Sequence, residues 1–312
     1  MLKDIRRIHF VGIGGAGMSG IAEVLLNLDY KVTGSDAKEN EATQYLRKKG
    51  AEVRIGHREA NLGPADVVVV SNAIPLDNPE IMLAKEKKIP VIPRAEMLAE
   101  LMRLKYGIAV AGTHGKTTTT SMAALVLTHG GLDPTIVIGG KLNVIGSNAK
   151  LGKGEYLVAE ADESDSSFLL LSPTFAVITN IDSDHLDHYG TMENLKDTFV
   201  AFANRVPFYG TVIVCADDAT AMSITPKLKR SYITYGFAPA ADVKALDLKH
   251  ENGKSLFTLA WSGKPLGEIT LNVPGRHNAV NSLAAAAVGL KLGISFAKIK
   301  TALSYFTGVQ RR

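Results

Sequence analysis

Short, continuous apolar runs alternate with helical patterns along the first hundred residues, and this alternation constrains the fold more than any other feature of the sequence. Such runs are typical of strands that are buried on both faces of a parallel sheet. They lie within IRRIHFVG, YKVTGSD, AEVRIG, DVVVVSN and IPVIP. Helices are predicted at 18–28, 41–49, 78–87 and 94–105. The sequence therefore predicts an α/β domain whose parallel sheet is covered by helices on both faces.

The same alternation begins again at residue 107, which predicts a domain boundary near residue 106. Further strands are expected within GIAVAG, PTIVIGG, EYLVAEAD, TFAVITNID and GTVIVCAD, and a long helix is expected at about 116–128. These runs again favour a parallel sheet. We therefore expect one domain at 1–106 and a second α/β domain at 107–312.

The second domain changes character from about residue 231 to residue 273. SYITYGF and the alternating runs after it carry turn signals at Asn252-Gly253 and Ser262-Gly263. Such dipeptides between alternating runs are typical of two-residue hairpin turns. An antiparallel section is therefore predicted here, followed by helices at about 278–292 and 296–306.

Composition narrows the class of protein. The 312 residues are 46% hydrophobic and 21% charged, which is typical of a globular chain with about two domains. No apolar run approaches the ~18 residues that span a bilayer, and the first residues lack a cleavable signal pattern. Cys215 is the one cysteine, so a disulfide within the chain is excluded. We expect a cytoplasmic protein without a membrane partner.

The net charge of +4 and the isoelectric point near 8.9 are mild. The basic clusters KEKK and KLKR lie beside polar turns and have no interleaved aromatic residues. Nucleic-acid-binding surfaces usually combine larger basic patches with such aromatics. The charge therefore suits an anionic small molecule, and no nucleic-acid partner is expected.

A first glycine loop lies in HFVGIGGAGMSG, directly after the first strand and at the start of a helix. It has the spacing Gly-x-Gly-x-x-Gly, and an aspartate ends the second strand nineteen residues after the last glycine. Glycines allow the backbone to approach a pyrophosphate, and the helix N-terminus supplies amide donors. This predicts a Rossmann-like domain that binds a nucleotide diphosphate, with NAD as the default among several possible ligands. The predicted contacts are Gly12, Gly14, Gly15, Ala16, Gly17, Met18, Ser19 and Asp36.

Later turns of this domain lie at the same edge of the sheet. Ser71 and Asn72 follow the fourth strand, and His57 follows the third. Ligands of doubly wound sheets bind at the carboxyl ends of the strands. Ser71 and Asn72 are therefore predicted contacts, although Ser and Asn are also ordinary turn-forming residues.

A second glycine loop, AGTHGKTT, resembles a phosphate loop with altered spacing. The pattern G-x-x-x-x-G-K-[ST] requires glycine at position 110, where Val110 stands, and Gly112 comes two residues later. The loop nevertheless follows an apolar strand and begins a helix, as a phosphate loop does. Its amides are expected to hold β- and γ-phosphates, with Lys116 neutralising charge and Thr117 binding magnesium. A P-loop-type ATPase domain is the preferred interpretation.

Two further residues at strand ends favour the same site. Glu160 ends the strand in EYLVAEAD and is expected to complete a magnesium shell. His185 follows the next strand among carboxylates, where a neutral imidazole can ligate a second metal ion. Each has a plainer explanation, Glu160 as a helix cap or surface carboxylate, and His185 and His188 as ordinary loop histidines. Their arrangement on successive strand ends favours the metal site.

Four motifs together, AGTHGKTTTT, AEADESD, TNIDSDHLDHYG and PGRHNAVNSLAA, resemble the Mur ligases. These are ATP-dependent, amide-forming enzymes of peptidoglycan synthesis, and their signature loop has the short glycine spacing seen here. The N-terminal motif and FTGVQRR are most similar to the alanine-adding branch of the family. The resemblance covers the whole chain and implies that the first domain binds a UDP-sugar, not NAD.

The resemblance also implies substrates, a cofactor and residue roles. The substrates would be UDP-N-acetylmuramate, L-alanine and ATP, with Mg²⁺. ATP phosphates would bind Gly112, Thr113, His114, Gly115, Lys116, Thr117 and Thr118, and metal would bind Thr117, Glu160 and His185. Asn278 and Asn281 would lie on the adenine side with His277 beside them, and Arg312 would lie near the phosphates. Lys116, Glu160, His185, Asn278, Asn281 and Arg312 are the expected catalytic set.

Two features depart from the family pattern. The stretch FVAFANRV has no lysine that could become carbamylated, which suits the alanine-adding branch but leaves the second magnesium without that support. Family members also carry a third, C-terminal domain, so we expect this chain to be the first two domains of a longer protein. Such a fragment would bind its nucleotides but ligate poorly or not at all.

Three alternatives stay open from the sequence. A sister ligase would attach a preformed peptide to the same UDP-sugar. An NAD-dependent dehydrogenase would use the first glycine loop and leave the second structural. A regulator would bind nucleotides without catalysis.

Overall fold

A computed structural model describes residues 5–142 and 147–310 of the chain. The first domain has five parallel strands in the order β3-β2-β1-β4-β5. The strands are β1 (Arg7–Val11), β2 (Lys31–Asp36), β3 (Glu52–Ile55), β4 (Val67–Val70) and β5 (Val91–Pro93). The helices are α1 (Ala16–Asn27), α2 (Glu41–Lys48), α3 (Pro79–Glu86) and α4 (Arg94–Met102). The predicted parallel-sheet domain is confirmed.

The second domain has one mixed sheet, which contains eleven strands over the described residues. Its order is β15-β14-β13-β12-β11-β10-β6-β9-β7-β16, with β8 paired to β7. The strands are β6 (Tyr106–Ala111), β7 (Thr135–Leu142), β8 (Ser147–Lys150), β9 (Tyr156–Glu160), β10 (Phe175–Ile178), β11 (Thr211–Cys215), β12 (Tyr232–Gly236), β13 (Val243–Glu251), β14 (Lys254–Trp261), β15 (Lys264–Leu271) and β16 (Val309–Gln310). The helices are α5 (Lys116–Gly130), α6 (Leu186–Tyr189), α7 (Met192–Ala203), α8 (Ala219–Ser223), α9 (Arg276–Lys291) and α10 (Phe296–Ser304).

The antiparallel section lies where the turn dipeptides predicted it, with one correction. Asn252 and Gly253 have φ of 50° and 73°, and Ser262 and Gly263 have φ of 49° and 78°. Two successive residues with positive φ match a tight hairpin turn. The strand of SYITYGF is not antiparallel, because β12 pairs parallel with both β11 and β13. The antiparallel section therefore begins at β13.

The side chains of β6 enter opposite layers of the second domain. Ile108 and Val110 pack in the cluster that contains α5 and α9, whereas Ala109 and Ala111 pack in the cluster that contains α7. Both faces of the sheet are thus buried, which explains the continuous apolar runs of its parallel strands. Among the described residues, no helix is both long enough and apolar enough to cross a bilayer.

The two domains are in direct contact. Helix α1 of the first domain packs against β7 and β8 of the second. Between the domains, Lys105 donates hydrogen bonds from Nζ to the carbonyls of Gly152 (2.9 Å) and Gly154 (2.5 Å). Separately, Gly15 and Gly17 of the first glycine loop line one cavity with Lys116 and Glu160, which follow or end strands of the second sheet.

Candidate nucleotide and substrate site

The altered glycine spacing has a steric explanation. Val110 is fully buried in β6 and is paired with Val177 of β10 and Glu160 of β9, so position 110 belongs to the sheet. Gly112 has φ of +131°, and a Cβ there would lie 2.1 Å from Thr179 Oγ1. The second glycine loop therefore begins at Gly112, where only glycine fits.

The end of β10 holds the loop in place. Asn180 accepts a hydrogen bond from the His114 amide (2.8 Å) and donates one to the His114 carbonyl (2.9 Å). Thr179 Oγ1 donates to the same carbonyl at 2.7 Å. Gly115 then adopts φ of +81° as the N-cap of α5, and no side chain caps that helix. The first amides of α5 are therefore available to an anion.

Lys116 is held against a buried carboxylate. Its Nζ lies 2.8 Å from Glu163 Oε1 and donates to the Gly112 carbonyl at 2.7 Å. The Glu163 side chain is 1% exposed, and its Oε2 has no hydrogen-bond partner among the described residues. His185 Nε2 lies 3.4 Å from Glu163 Oε1. Lys116, Glu163 and His185 thus form one polar cluster.

Glu163 was not among the sequence predictions, although it lies three residues after the predicted Glu160. The motif AEADESD contains both glutamates, and only the fold separates their roles. Glu160 ends β9 and lines an open cleft with Lys116 and Thr117, whereas Glu163 is buried beneath the loop. Glu160 therefore faces the same cleft as Lys116, whereas Glu163 contacts Lys116 directly.

The open cleft has a volume of about 510 Å³ and is lined by both domains. From the second domain come Lys116, Thr117, Glu160, Asp162 and Ser164; from the first come Gly15, Gly17, Met18, Ser71, Asn72 and Arg94. The two glycine loops, predicted separately, therefore face the same cavity.

The first loop is fixed by the aspartate predicted to contact ligand. Asp36 Oδ2 accepts a hydrogen bond from the Gly14 amide at 2.8 Å. A Cβ on Gly14 would lie 2.9 Å from that oxygen and 2.7 Å from Asn40 Nδ2. Met18 and Ser19 are buried in α1, and Ala16 begins that helix. Asp36 thus shapes the loop, and its contact with a ligand stays a prediction.

Arg94 is a second residue that the sequence reasoning missed. Its guanidinium lies against Gly17, where a Cβ would be 2.9 Å from Nη1, and Nη2 lies 3.2 Å from Asp162 Oδ2 of the other domain. Asn72 also contacts Asp165 across the cleft. A basic residue directly after the fifth strand was the available signal.

Asp162 is ionised in this arrangement. Burial raises the pKa of its carboxyl. This effect is outweighed by hydrogen bonds from the Ser164 hydroxyl and amide and by the charges of Arg94 and Lys116, so the net shift of the pKa is downward. The Ser164 hydroxyl donates to Oδ1 at 2.8 Å. Asp162 therefore carries a negative charge between the two glycine loops.

Of the residues predicted on the adenine side, only Asn281 is seen to contact the second glycine loop among the described residues. Asn281 is buried with its Oδ1 2.7 Å from the Cβ position of Gly115, so it packs directly on the second glycine loop. Asn278 donates from Nδ2 to the Pro274 carbonyl at 2.7 Å, and His277 is exposed. Arg312 lies outside the described residues. The roles of these four residues stay predictions.

Family models match both parts of the chain. The model described as Mur ligase family, catalytic domain, matches residues 7–106, and the Mur ligase middle domain matches residues 110–289. UDP-N-acetylmuramate–L-alanine ligases from Trichlorobacter lovleyi and Geobacter sulfurreducens are 59% and 58% identical over the whole chain. The chain spans 69% and 68% of their lengths.

Solved structures of similar fold are also ligases that act on UDP-N-acetylmuramate. The UDP-N-acetylmuramate–alanine ligase of Thermotoga maritima is 34% identical with a TM-score of 0.88, over 98% of this chain and 70% of that one. A UDP-N-acetylmuramate:L-alanyl-γ-D-glutamyl-meso-diaminopimelate ligase from Neisseria meningitides is 27% identical with a TM-score of 0.90, over 98% of this chain and 100% of that one. With both domain models matched and relatives of this identity, the chain belongs to the Mur ligase family.

Proposed function

We propose that this chain carries the UDP-sugar and ATP sites of an ATP-dependent ligase that joins L-alanine to the lactate carboxylate of UDP-N-acetylmuramate. The observation that carries the proposal is the shared cleft, into which both glycine loops open. Two nucleotides bound at these loops would bring a carboxylate and a γ-phosphate together. That juxtaposition is what acyl-phosphate formation requires.

The first loop suits the diphosphate of the UDP-sugar. The N-terminus of α1 has no side-chain cap and presents its amides and positive dipole end. The Arg94 guanidinium lies against Gly17 at the same place and adds a fixed positive charge. The diphosphate would then compete with Asp162 for that guanidinium.

The second loop suits the phosphates of ATP. Amides from Gly112 to Thr118 surround the N-terminus of α5, and Lys116 reaches back over the loop to the Gly112 carbonyl. A lysine in this position neutralises negative charge that develops on the transferred phosphoryl group. Glu163 would hold the ammonium in place until the nucleotide arrives.

The residues present fit a magnesium ion. Thr117 offers a hydroxyl and Glu160 a carboxylate at the cleft, while Glu163 keeps one buried oxygen without a partner among the described residues. Mg²⁺ prefers such oxygen donors, and His185 adds an imidazole that lies beside Glu163. When bound, the ion would neutralise phosphate charge; Thr117, Glu160 and His185 are proposed to hold it.

The reaction needs an activated carboxylate, because oxide cannot leave when an amine attacks. A lactate carboxylate oxygen would bond to the γ-phosphorus as the bond to the β–γ bridging oxygen breaks, giving an acyl phosphate and ADP. The alanine amine would then add to the acyl carbon and lose a proton, and phosphate would leave. The first step depends mainly on positioning and charge neutralisation, which Lys116 and the loop amides supply.

One alternative within the family differs in the acceptor. The ligase from Neisseria meningitides takes UDP-N-acetylmuramate and a preformed peptide, L-alanyl-γ-D-glutamyl-meso-diaminopimelate, in place of L-alanine. The identity of 59% to an alanine ligase, against 27% to that enzyme, favours alanine. Family membership decides against the dehydrogenase. Cytoplasmic location and ligation deficiency of this 312-residue chain stay predictions.

Calorimetric titration tests the proposal. UDP-N-acetylmuramate and a magnesium complex of a non-hydrolysable ATP analogue are each titrated into the wild-type chain and the Lys116→Ala variant, with NAD as the control ligand. We expect both substrates but not NAD to bind the wild type, and only ATP-analogue binding to weaken in the variant. Binding of NAD with indifference to Lys116 would overturn the proposal.

A further inference from the structure

Another open cavity lies at the contact between the two domains, away from the cleft that the glycine loops share. Its volume is about 750 Å³, and the residues that line it are different from those that line the cleft. Met18 near the start of α1 lines the cleft, whereas Asn27 at the end of the same helix lines this cavity. These positions are about 14 Å apart at 1.5 Å per helical residue. The cavity is therefore a separate site.

The lining of this cavity is basic. Lysines of both domains contribute to it: Lys49, Lys105, Lys150 and Lys153. Among the described residues that line the cavity, Glu23 has the one carboxylate. The Glu23 residue is only 5% exposed, and its Oε1 accepts a hydrogen bond from the Tyr45 hydroxyl at 2.6 Å. The exposed charge of the lining is therefore mainly that of the ammonium groups.

Lys105 is held at the domain contact with its charge incompletely compensated. Its Nζ donates to the carbonyls of Gly152 (2.9 Å) and Gly154 (2.5 Å), which engage two of the three N–H groups of the ammonium. Burial lowers the pKa of the Lys105 ammonium, and the negative charge of Asp133 offsets this effect only in part. Neutral carbonyls bind an ammonium less strongly than an anion does. An anion that enters the cavity would therefore stabilise the charged form of Lys105.

The segment that carries Lys150 and Lys153 is fixed by its own contacts. A Cβ on Gly152 would lie 2.1 Å from the Asp133 carbonyl oxygen, so the two backbones are in close contact. The Asp133 carboxylate accepts hydrogen bonds from Lys150 Nζ (2.7 Å) and from the Lys153 amide (2.8 Å). Of the four lysines, Lys150 alone forms an ion pair with a described carboxylate. A charge that is held in place in this way binds a ligand at a lower entropic cost.

The first-domain side of the cavity also offers apolar surface. Lys49 Nζ lies 5.4 Å from the centroid of the Tyr45 ring, which belongs to a residue that is 37% exposed. Leu28 and Leu151 line the same cavity. Small-molecule sites usually have volumes of about 300–1,000 Å³ and combine apolar walls with a few charged groups. Both the size and the lining of this cavity suit an organic anion.

We propose that this cavity binds a small organic anion with at least two negative charges, held by Lys49 and Lys105 of the first domain and Lys153 of the second. The ligand class is that of multivalent phosphates and carboxylates of about nucleotide size. Since such an anion contacts both domains, its binding stabilises the contact between them. The inference is independent of the proposed function, because none of these lysines lines the cleft.

Calorimetric titration of two double variants with the same change of charge tests this site. Lys49→Gln with Lys153→Gln removes two exposed lysines of the cavity. Lys254→Gln with Lys264→Gln is the matched control, since both lysines are exposed and neither lines the cavity. Inorganic tripolyphosphate and citrate serve as the phosphate and carboxylate probes, at constant ionic strength. Binding at the glycine loops is common to both variants, so the difference between them reports the basic cavity.

We expect the wild type and the control variant to bind at least one of the two probes. The cavity variant should bind that probe at least about tenfold more weakly, as the loss of charged hydrogen bonds implies. The probe should also raise the thermal unfolding midpoint of the control variant more than that of the cavity variant. A preference for tripolyphosphate or for citrate identifies phosphate or carboxylate as the ligand chemistry.

Lysine acetylation read by mass spectrometry locates the bound probe. A saturating probe is expected to protect Lys49 and Lys153 and to leave Lys254 reactive. Equal affinities of the two double variants, absence of binding of both probes to the wild type, or unprotected Lys49 and Lys153 would each overturn this inference. Failure of UDP-N-acetylmuramate and the ATP analogue to bind would instead overturn the proposed function and leave this inference standing.

Discussion

The ammonium of Lys116 lies 2.8 Å from the carboxylate of Glu163, and both groups are largely shielded from water. Lys116→Ala would leave that carboxylate buried without its partner. Breaking one side of such a pair costs roughly 3–5 kcal/mol of unfolding free energy. We expect a loss of this order by urea denaturation for Lys116→Ala. The control is the double variant Lys116→Met with Glu163→Gln, which removes both charges and should lose much less unfolding free energy. Equal losses in Lys116→Ala and the double variant would contradict this prediction.

Gly112 is predicted to tolerate no side chain. Gly112→Ala would place Cβ 2.1 Å from Thr179 Oγ1 in backbone with φ of +131°, so we expect strong destabilisation and loss of ATP-analogue binding. Gly253→Ala is the control, because Gly253 also has positive φ (+73°) but open space around it. That variant is expected to lose only about 1–2 kcal/mol. Normal ATP-analogue binding by Gly112→Ala would refute the assignment of the loop start.

Arg94 is expected to contribute to UDP-sugar affinity. Arg94→Ala removes the charge beside Gly17, and we expect UDP-N-acetylmuramate to bind at least about tenfold more weakly, as for a charged hydrogen bond. ATP-analogue binding should change little. Arg103→Ala, which removes an exposed arginine paired with Glu100, is the control and should bind both ligands normally. An unchanged UDP-sugar affinity in Arg94→Ala would remove Arg94 from the site.

Glu80 is fully buried in α3 and accepts hydrogen bonds from His9 Nε2 (2.7 Å) and the Ser35 hydroxyl (2.8 Å), so its ionisation contributes to the pH dependence of stability. The folded-state pKa of Glu80 lies below its ordinary value of 4.5. Its contribution is therefore fully present above pH 4.5 and is lost as the pH falls through the folded-state pKa. We expect the difference in unfolding free energy between wild type and Glu80→Gln to be largest near neutrality and to shrink below pH 4.5. A difference that is constant from pH 7 to pH 3 would contradict an ionised Glu80.

Cys215 is expected to be inert in the folded chain. It is buried in β11, and burial raises the pKa of its thiol to about 11. The thiol is therefore protonated at pH 8, and thiolate is the reactive form. We expect no reaction with a thiol-specific disulfide reagent in native buffer and one equivalent in denaturant. Rapid labelling of the native chain would contradict this burial.

Most strands, helices and turns could be predicted from local sequence patterns. Strands such as Val67–Val70 and hairpin turns such as Asn252-Gly253 depend on a few neighbouring residues, so the local sequence is sufficient to predict them. The strands β8 and β16 were not predicted. β8 is the polar sequence SNAK and β16 has two residues, so neither has an apolar run to reveal it.

The parts of the site that could be predicted are those formed by contiguous motifs. Both glycine loops are contiguous motifs, and residues of both line one cleft. Glu163 and Glu160 share one motif, but only Glu163 is fully buried and contacts Lys116. Arg94 meets Asp162 across 68 positions of the chain. Ser35 and Glu80 are 45 residues apart. No local pattern relates residues at such distances, because folding alone brings them into contact.

The most direct test of the shared cleft is a crystal structure of the chain with UDP-N-acetylmuramate and a magnesium complex of a non-hydrolysable ATP analogue. We expect the diphosphate at Gly12–Gly17, the triphosphate at Gly112–Thr118, and the lactate carboxylate about 3–3.5 Å from the γ-phosphorus, as a reactive geometry requires. A UDP-sugar bound away from the first glycine loop, or an ATP analogue bound away from Lys116, would contradict this expectation.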